Sequence, residues 1–168
     1  INTARVGESR DKDHYVQCDI YCELRPSVSG GGWERVGIFA RDNGNGMFEG
    51  ISGGGVQGNN YSLTWDSIDG RVQCLRTVNG VPTDLLPAPV FMASSGWREF
   101  RIECEGSSIR FSIDGSTILS VTDAAHASGQ CGVGYHEYFA TNSNILGTRA
   151  DNFEAGFLGA YMLFIFVK

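Results

Sequence analysis

Residues 97–121 read WREFRIECEGSSIRFSIDGSTILSV, and apolar and polar side chains change places at nearly every step. Phe100, Ile102 and Cys104 alternate with Arg101, Glu103 and Glu105, while Ile109, Phe111 and Ile113 alternate with Arg110, Ser112 and Asp114. Successive side chains of a strand point to opposite faces, so a period of two with apolar residues on one side predicts half-buried antiparallel strands. The connections EGSS and DGS carry the small and Asp-Gly residues that tight hairpins demand, which makes the stretch a meander.

The same period returns at Val16, Cys18, Ile20, Cys22 and Leu24; at Val36, Ile38 and Ala40; at Tyr61, Leu63 and Trp65; and at Phe153, Ala155 and Phe157. Clusters of Gly, Asn or Asp border these runs: SVSGGG, DNGNG, SGGGVQGNN, DSIDG and VNG. No window carries an i, i+3, i+4, i+7 stripe, so helices are expected to be few and short. The 23 glycines and 4 prolines suit many turns between short strands. At 168 residues the chain has the size of one domain and can bury a core without disulfides or a metal. About a dozen strands in such a chain predict two packed sheets.

The net charge of -6 and the absence of any Lys/Arg cluster give no positive field for a phosphate backbone, which excludes nucleic acid as the expected partner. Five cysteines, an odd number with no C-x-x-C zinc spacing, leave at least one thiol unpaired within the chain. Cys18 and Cys22 share the phase of Ile20 and Leu24 and are read as small core residues; the redox compartment stays open. No signal peptide opens the chain, and it starts at Ile1, as processing or excision from a longer polypeptide would produce. The uncharged run Ala155–Val167 is shorter than the roughly 20 residues a bilayer-crossing helix needs, so no membrane span is expected.

The order W-R-x-F-R-I-x-x-x-G-x-x-I-R-F-x-I-D-G (Trp97–Gly115), a turn at Asp123, S-G-Q-C-G-V-G (Ser128–Gly134) and A-D-N-F (Ala150–Phe153) resembles the C-terminal half of a concanavalin A-like lectin/glucanase jelly roll of the laminin G-like group. DHYVQCDIYCEL (13–24), RVGIFARD (35–42) and NNYSLTWD (59–66) resemble its first half. The resemblance covers nearly the whole chain and implies an all-β, two-sheet antiparallel jelly-roll sandwich. It says little about activity, because such sandwiches host binding, catalytic and structural roles.

Several motifs dissolve on inspection. Gly50-Ile51-Ser52-Gly53-Gly54 matches G-x-S-x-G, and the run from Gly53 to Gly58 matches G-x-G-x-x-G, yet a strand and not a helix follows both. Retaining glycosidases on this sandwich carry E-x-D-x-x-E on one strand, and that pattern is missing. Glu103 and Glu105 share a strand face and are expected to sit in solvent. His14, His126 and His136 each stand without a neighbour at ligand spacing. The reading is therefore not an enzyme, and no cofactor is expected.

Calcium is the alternative, because many laminin G-like domains bind it. Asp42, Asn43 and Asn45, with Glu49 beyond, supply hard oxygen ligands, although Asp, Asn and Gly are also what any tight turn selects. Asn60-Tyr61-Ser62 fits a glycosylation sequon. A sugar site needs an aromatic platform and polar side chains. Phe39 and Arg41 alternate with Val36, Ile38 and Ala40 and are candidates for an exposed or concave face, where Arg76, His136 and Tyr138 could join them; Tyr61 and Trp65 are read as core.

At the C-terminus Tyr161, Met162, Leu163, Phe164, Ile165, Phe166 and Val167 are apolar without interruption, which implies burial on both sides. The chain thus divides into a sandwich over 1–157 and an apolar strand or assembly tail over 158–168, with Tyr161, Leu163, Phe164, Ile165 and Phe166 as interface candidates. Two non-enzymatic functions compete, and a glycoside hydrolase-like enzyme is the third alternative, because some related sandwich families hydrolyse sugars. One is a binding module for carbohydrate. The other is a structural subunit, docked on neighbouring protein subunits of an extracellular or bacteriophage virion-surface assembly. Both place the protein outside the cell or on a virion surface.

Overall fold

The computed structural model describes residues 2–8, 10–24, 33–43, 58–138 and 149–158. Among them the chain forms twelve strands and no helix: β1 (Asn2–Val6), β2 (His14–Cys22), β3 (Trp33–Asp42), β4 (Asn60–Asp66), β5 (Arg71–Val78), β6 (Val81–Asp84), β7 (Val90–Phe91), β8 (Gly96–Glu105), β9 (Ser108–Ile113), β10 (Ser116–Thr122), β11 (Gln130–Tyr138) and β12 (Arg149–Phe157). They build two antiparallel sheets. The larger has the order β1-β11-β3-β4-β5-β6, with β7 also on β5, and the smaller has the order β10-β9-β8-β2-β12.

The alternation in the sequence becomes the core. Along β2 every second residue, from His14 to Cys22, is buried, and Phe100, Ile102 and Cys104 do the same on β8. These side chains, with Ile109, Phe111 and Ile113 of β9, meet Val36, Ile38, Tyr61, Leu63, Trp65, Val72 and Cys74 from the larger sheet. Fully burying each large apolar side chain contributes about 1.5–3 kcal/mol, which is why the two apolar faces find each other. Tyr61 and Trp65 are wholly buried, as their phase predicts.

The hairpins take the form the turn residues prescribe. Asp114 and Gly115, between β9 and β10, have φ of 51° and 73°, and Asn79 and Gly80, between β5 and β6, have 50° and 77°. Positive φ at both central residues gives the turn whose twist matches the flanking strands. All five cysteines are buried thiols.

Three expectations are corrected. Glu103 is not a solvated carboxylate: Arg101 Nε and Nη2 donate to its Oε1 at 3.0 and 2.8 Å, and Arg110 donates to its Oε2. Asn60 of the sequon is fully buried in β4, out of reach of any glycosylating enzyme in the folded state. Arg41 does not point away from the core. Its φ is 53°, and the β3–β11 register shifts between Gln130 and Gly132, so a bulge inserts one residue and reverses the alternation at that point.

Candidate functional site

Of the five residues proposed for a sugar face, Arg41 and Arg76 do not share the face of Phe39. Phe39 keeps its phase on the outer face of the larger sheet, in a cross-strand row with Gly132 and Ser62, but it is fully buried. Arg41, turned inward by the bulge, is 1% exposed and donates to the carbonyls of Lys12 at 3.1 Å and His126 at 2.9 Å, with Asp13 3.6 Å away. It clamps two loops at one end of the sandwich. His136 pairs in register with Arg35, and Tyr138 with Trp33, on the β11–β3 ladder.

Arg76 belongs to the opposite face from Phe39. On β5 it shares the inward phase of Val72 and Cys74, pairs with Tyr61, and donates from Nη1 to Asp123 Oδ2 at 2.8 Å. Tyr61 donates to Asp123 Oδ1 at 2.6 Å, and His126 Nε2 lies 2.7 Å from the Thr77 carbonyl. Burial works to raise the Asp123 pKa, but hydrogen bonds from Tyr61, the Ala125 amide and Arg76 outweigh it and hold the carboxyl below its ordinary range. Burial and the bond to Asp123 push the Tyr61 hydroxyl upward. Every partner in this cluster is another group of the chain, which makes it a tie between β4, β5 and the loop after β10.

Of the calcium candidates, Asp42 is 1% exposed and pairs with Arg5 at 3.1 Å, and the Asn43 amide donates to the Asn59 carbonyl at 3.1 Å. Asn45 and Glu49 lie outside the described residues, as do the interface candidates Tyr161, Leu163, Phe164, Ile165 and Phe166. Among the described residues no group of three or more His, Cys, Asp or Glu is placed to hold a metal ion.

An exposed aromatic array stands instead on the outer face of the smaller sheet. Trp97 of β8, Tyr21 of β2 and Arg149 of β12 form one cross-strand row. The Trp97 and Tyr21 ring centres are 5.6 Å apart at 67°, an edge-to-face pair, and the Arg149 guanidinium lies 4.6 Å from the Tyr21 ring centre and 5.9 Å from that of Trp97. Trp97 is nevertheless 48% exposed. The adjacent row is Glu99, Asp19 and Asp151, and Asp19 accepts a bond from the Asn152 side chain at 2.7 Å. A ring that stays half in water while its edges are fixed by neighbours is a pre-ordered apolar plate, and carboxylates and amides beside it offer hydrogen bonds.

Sequence phase could have found this array. Trp97 is in step with Glu99, Arg101 and Glu103, and Tyr21 with Tyr15, Gln17 and Asp19, all outward-facing. What phase cannot supply is the pairing of positions 21 and 97.

No family model and no curated protein matches the sequence. Solved structures do match in fold. The carbohydrate binding module CBM66 from Bacillus subtilis superposes with a TM-score of 0.54 at 15% identity, over 86% of this chain and 74% of that one. Sheep galectin-11, in complex with glycerol, gives 0.50 at 9% identity over 92% and 94%. An alginate lyase from Pseudomonas aeruginosa gives 0.52 at 18% identity over 90% and 67%. These are concanavalin A-like sandwiches, and the chain has the concanavalin A-like jelly-roll fold.

Proposed function

We propose that the protein is a carbohydrate-binding β-sandwich that acts outside the cell and without catalysis, holding a sugar against Trp97 on the outer face of its smaller sheet. The observation that carries this reading is the half-exposed Trp97 ring, braced by Tyr21 and Arg149 beside a row of polar side chains. A pyranose offers an apolar face of axial C–H groups to such a plate and hydroxyls to its rim. The local charge favours a neutral sugar: within the two rows of the array the carboxylates Asp19, Glu99 and Asp151 outnumber the one cation, Arg149, which disfavours a uronate. The binding module and galectin among the fold neighbours support the ligand class. The missing E-x-D-x-x-E pattern and the pairing of Glu103 with two arginines support the absence of hydrolysis.

The test is a glycan array followed by titration of the best hit into wild type and Trp97→Ala. Wild type binds, and the variant loses at least about tenfold in affinity, as removal of a central aromatic anchor does. An array without hits, or an unchanged affinity in Trp97→Ala, refutes the reading. Turnover of aryl glycosides or of alginate would refute the non-catalytic part alone.

The second reading is a subunit of an extracellular or bacteriophage virion-surface assembly, favoured by the unbroken apolar sequence Tyr161–Val167. Its test is the solution mass with and without residues 158–168. Unchanged association on deletion dismisses it.

A further inference from the structure

Among the described residues the two sheets leave a cleft open along one side, between the edge strand β1 of the larger and the edge strand β12 of the smaller. Its volume is about 260 Å³, and its walls include Val6, Gly7, His14, Cys131, Ala155 and Phe157. A cavity of about 150 Å³ lined by apolar side chains is enough to take benzene. This one has room for a substituted ring.

One polar group faces that space without an assignment. His14 opens β2 in the inward phase, is 3% exposed, and neither Nδ1 nor Nε2 has a hydrogen-bond partner. Buried polar groups are nearly always satisfied, so a wall residue with two empty ring nitrogens points to something that belongs between the walls. We propose that the β1–β12 cleft is a binding site for a small, uncharged ring alcohol of phenol type, whose hydroxyl pairs with the His14 imidazole while its ring fills the apolar walls.

The class follows from the charges around the site. Neutral imidazole offers one N–H donor and one acceptor nitrogen, and a hydroxyl complements either. Burial and the nearby Arg41 keep His14 unprotonated at neutral pH. Arg41, fixed behind it by the Lys12 and His126 carbonyls and Asp13, opposes a cationic ligand. Asp11, in the cleft wall and accepting the Glu8 amide at 2.7 Å, opposes an anionic one. A neutral ligand meets neither repulsion.

The cleft is separate from the Trp97 array. His14 and Tyr21 stand at opposite ends of β2, about 23 Å apart at strand spacing. Failure of one site therefore says nothing about the other.

The experiment compares p-cresol with p-xylene, which has nearly the same shape and a methyl in place of the hydroxyl. Binding is read from the His14 ring nitrogens in a ¹⁵N-labelled protein and from the thermal midpoint. In wild type p-cresol shifts the His14 signals saturably and raises the midpoint, and p-xylene binds at least tenfold more weakly. His14→Leu removes the preference and leaves both ligands equally weak. Should that variant not fold, Val6→Trp, placed on the 43% exposed rim of the cleft, blocks p-cresol while the protein remains native. Equal affinity of the two ligands for wild type, no saturable shift with p-cresol, or full p-cresol affinity in Val6→Trp overturns the proposal.

Discussion

Tyr61 and Arg76 face each other across β4 and β5 and both donate to Asp123, the tyrosine hydroxyl to Oδ1 at 2.6 Å and the guanidinium to Oδ2 at 2.8 Å. One carboxylate from the loop after β10 thereby serves two strands of the larger sheet and the Ala125 amide at 2.9 Å. Removing its side chain leaves the buried Tyr61 hydroxyl only the longer bonds, at 3.3 Å each, to the Asp123 carbonyl and from the His126 amide. Asp123→Ala is expected to cost about 1–3 kcal/mol in urea unfolding, and Arg76→Ala less, because the arginine side chain is about a third exposed and its ion pair is screened by solvent. Equal losses would mean that the ion pair, rather than the Tyr61 bond, dominates.

His14 makes stability depend on pH in a defined window. Its pKa is held at about 4, below the ordinary 6.5, by burial first and then by Arg41, with Asp11 and Asp13 pulling weakly the other way. Between those values the unfolded chain binds a proton that the folded chain refuses. Stability is therefore full above pH 6.5 and falls as pH drops toward 4, by at most roughly 3 kcal/mol. His14→Leu should flatten most of that slope. A residue of it stays with His126, whose pKa burial also lowers. Urea midpoints at pH 7, 5.5 and 4.5 decide the point, and an undiminished slope in the variant would refute it.

How much of this was legible in the sequence depends on whether a feature is local. The core positions of β2, β8 and β9 were readable because one-sided burial imposes a period of two on residues such as Val16, Cys18 and Ile20. Arg41 was misplaced because a bulge one residue long reverses that period, and nothing in RVGIFARD announces a positive φ at a non-glycine. Phe39 was assigned to the correct face, but its complete burial is a tertiary matter that phase does not encode. The Trp97 array escaped because it depends on the register of β2 against β8, strands far apart in the chain. Alternation gives a side chain's face and leaves its cross-strand neighbour unspecified.

The thiols supply a simple check on the packing. Burial pushes Cys18 up to about 11 and Cys104 and Cys131 to about 12, and raises Cys74 as well. At pH 8 almost none of these is thiolate, and each is enclosed. Ellman's reagent should react with fewer than one thiol per chain in the native state and with all five cysteines in denaturant. Rapid native reaction of several would show that the sandwich opens far more readily than its burial implies.

Two glycines separate backbone strain from close packing. Gly115 has φ of 73° in the β9–β10 turn, and a Cβ built there meets nothing within 4 Å. Gly115→Ala therefore incurs only the left-handed conformation, about 1–2 kcal/mol, and Gly115→Asn less, because asparagine tolerates that region. Gly37 is different. It lies mid-strand in β3, and a Cβ there would press on the Leu63 carbonyl oxygen and come within 2.9 Å of the Thr64 Cα, both backbone atoms of β4. That strand is buried on both faces and has no free direction in which to yield. Gly37→Ala is accordingly expected at or above the top of the roughly 1–3 kcal/mol range of overpacking, with amide exchange accelerated along the β3–β4 ladder and not at the distant turn. Reversal of the order, with Gly115→Ala the costlier change, would mean that β3 and β4 do not approach each other as closely at this point as the register requires.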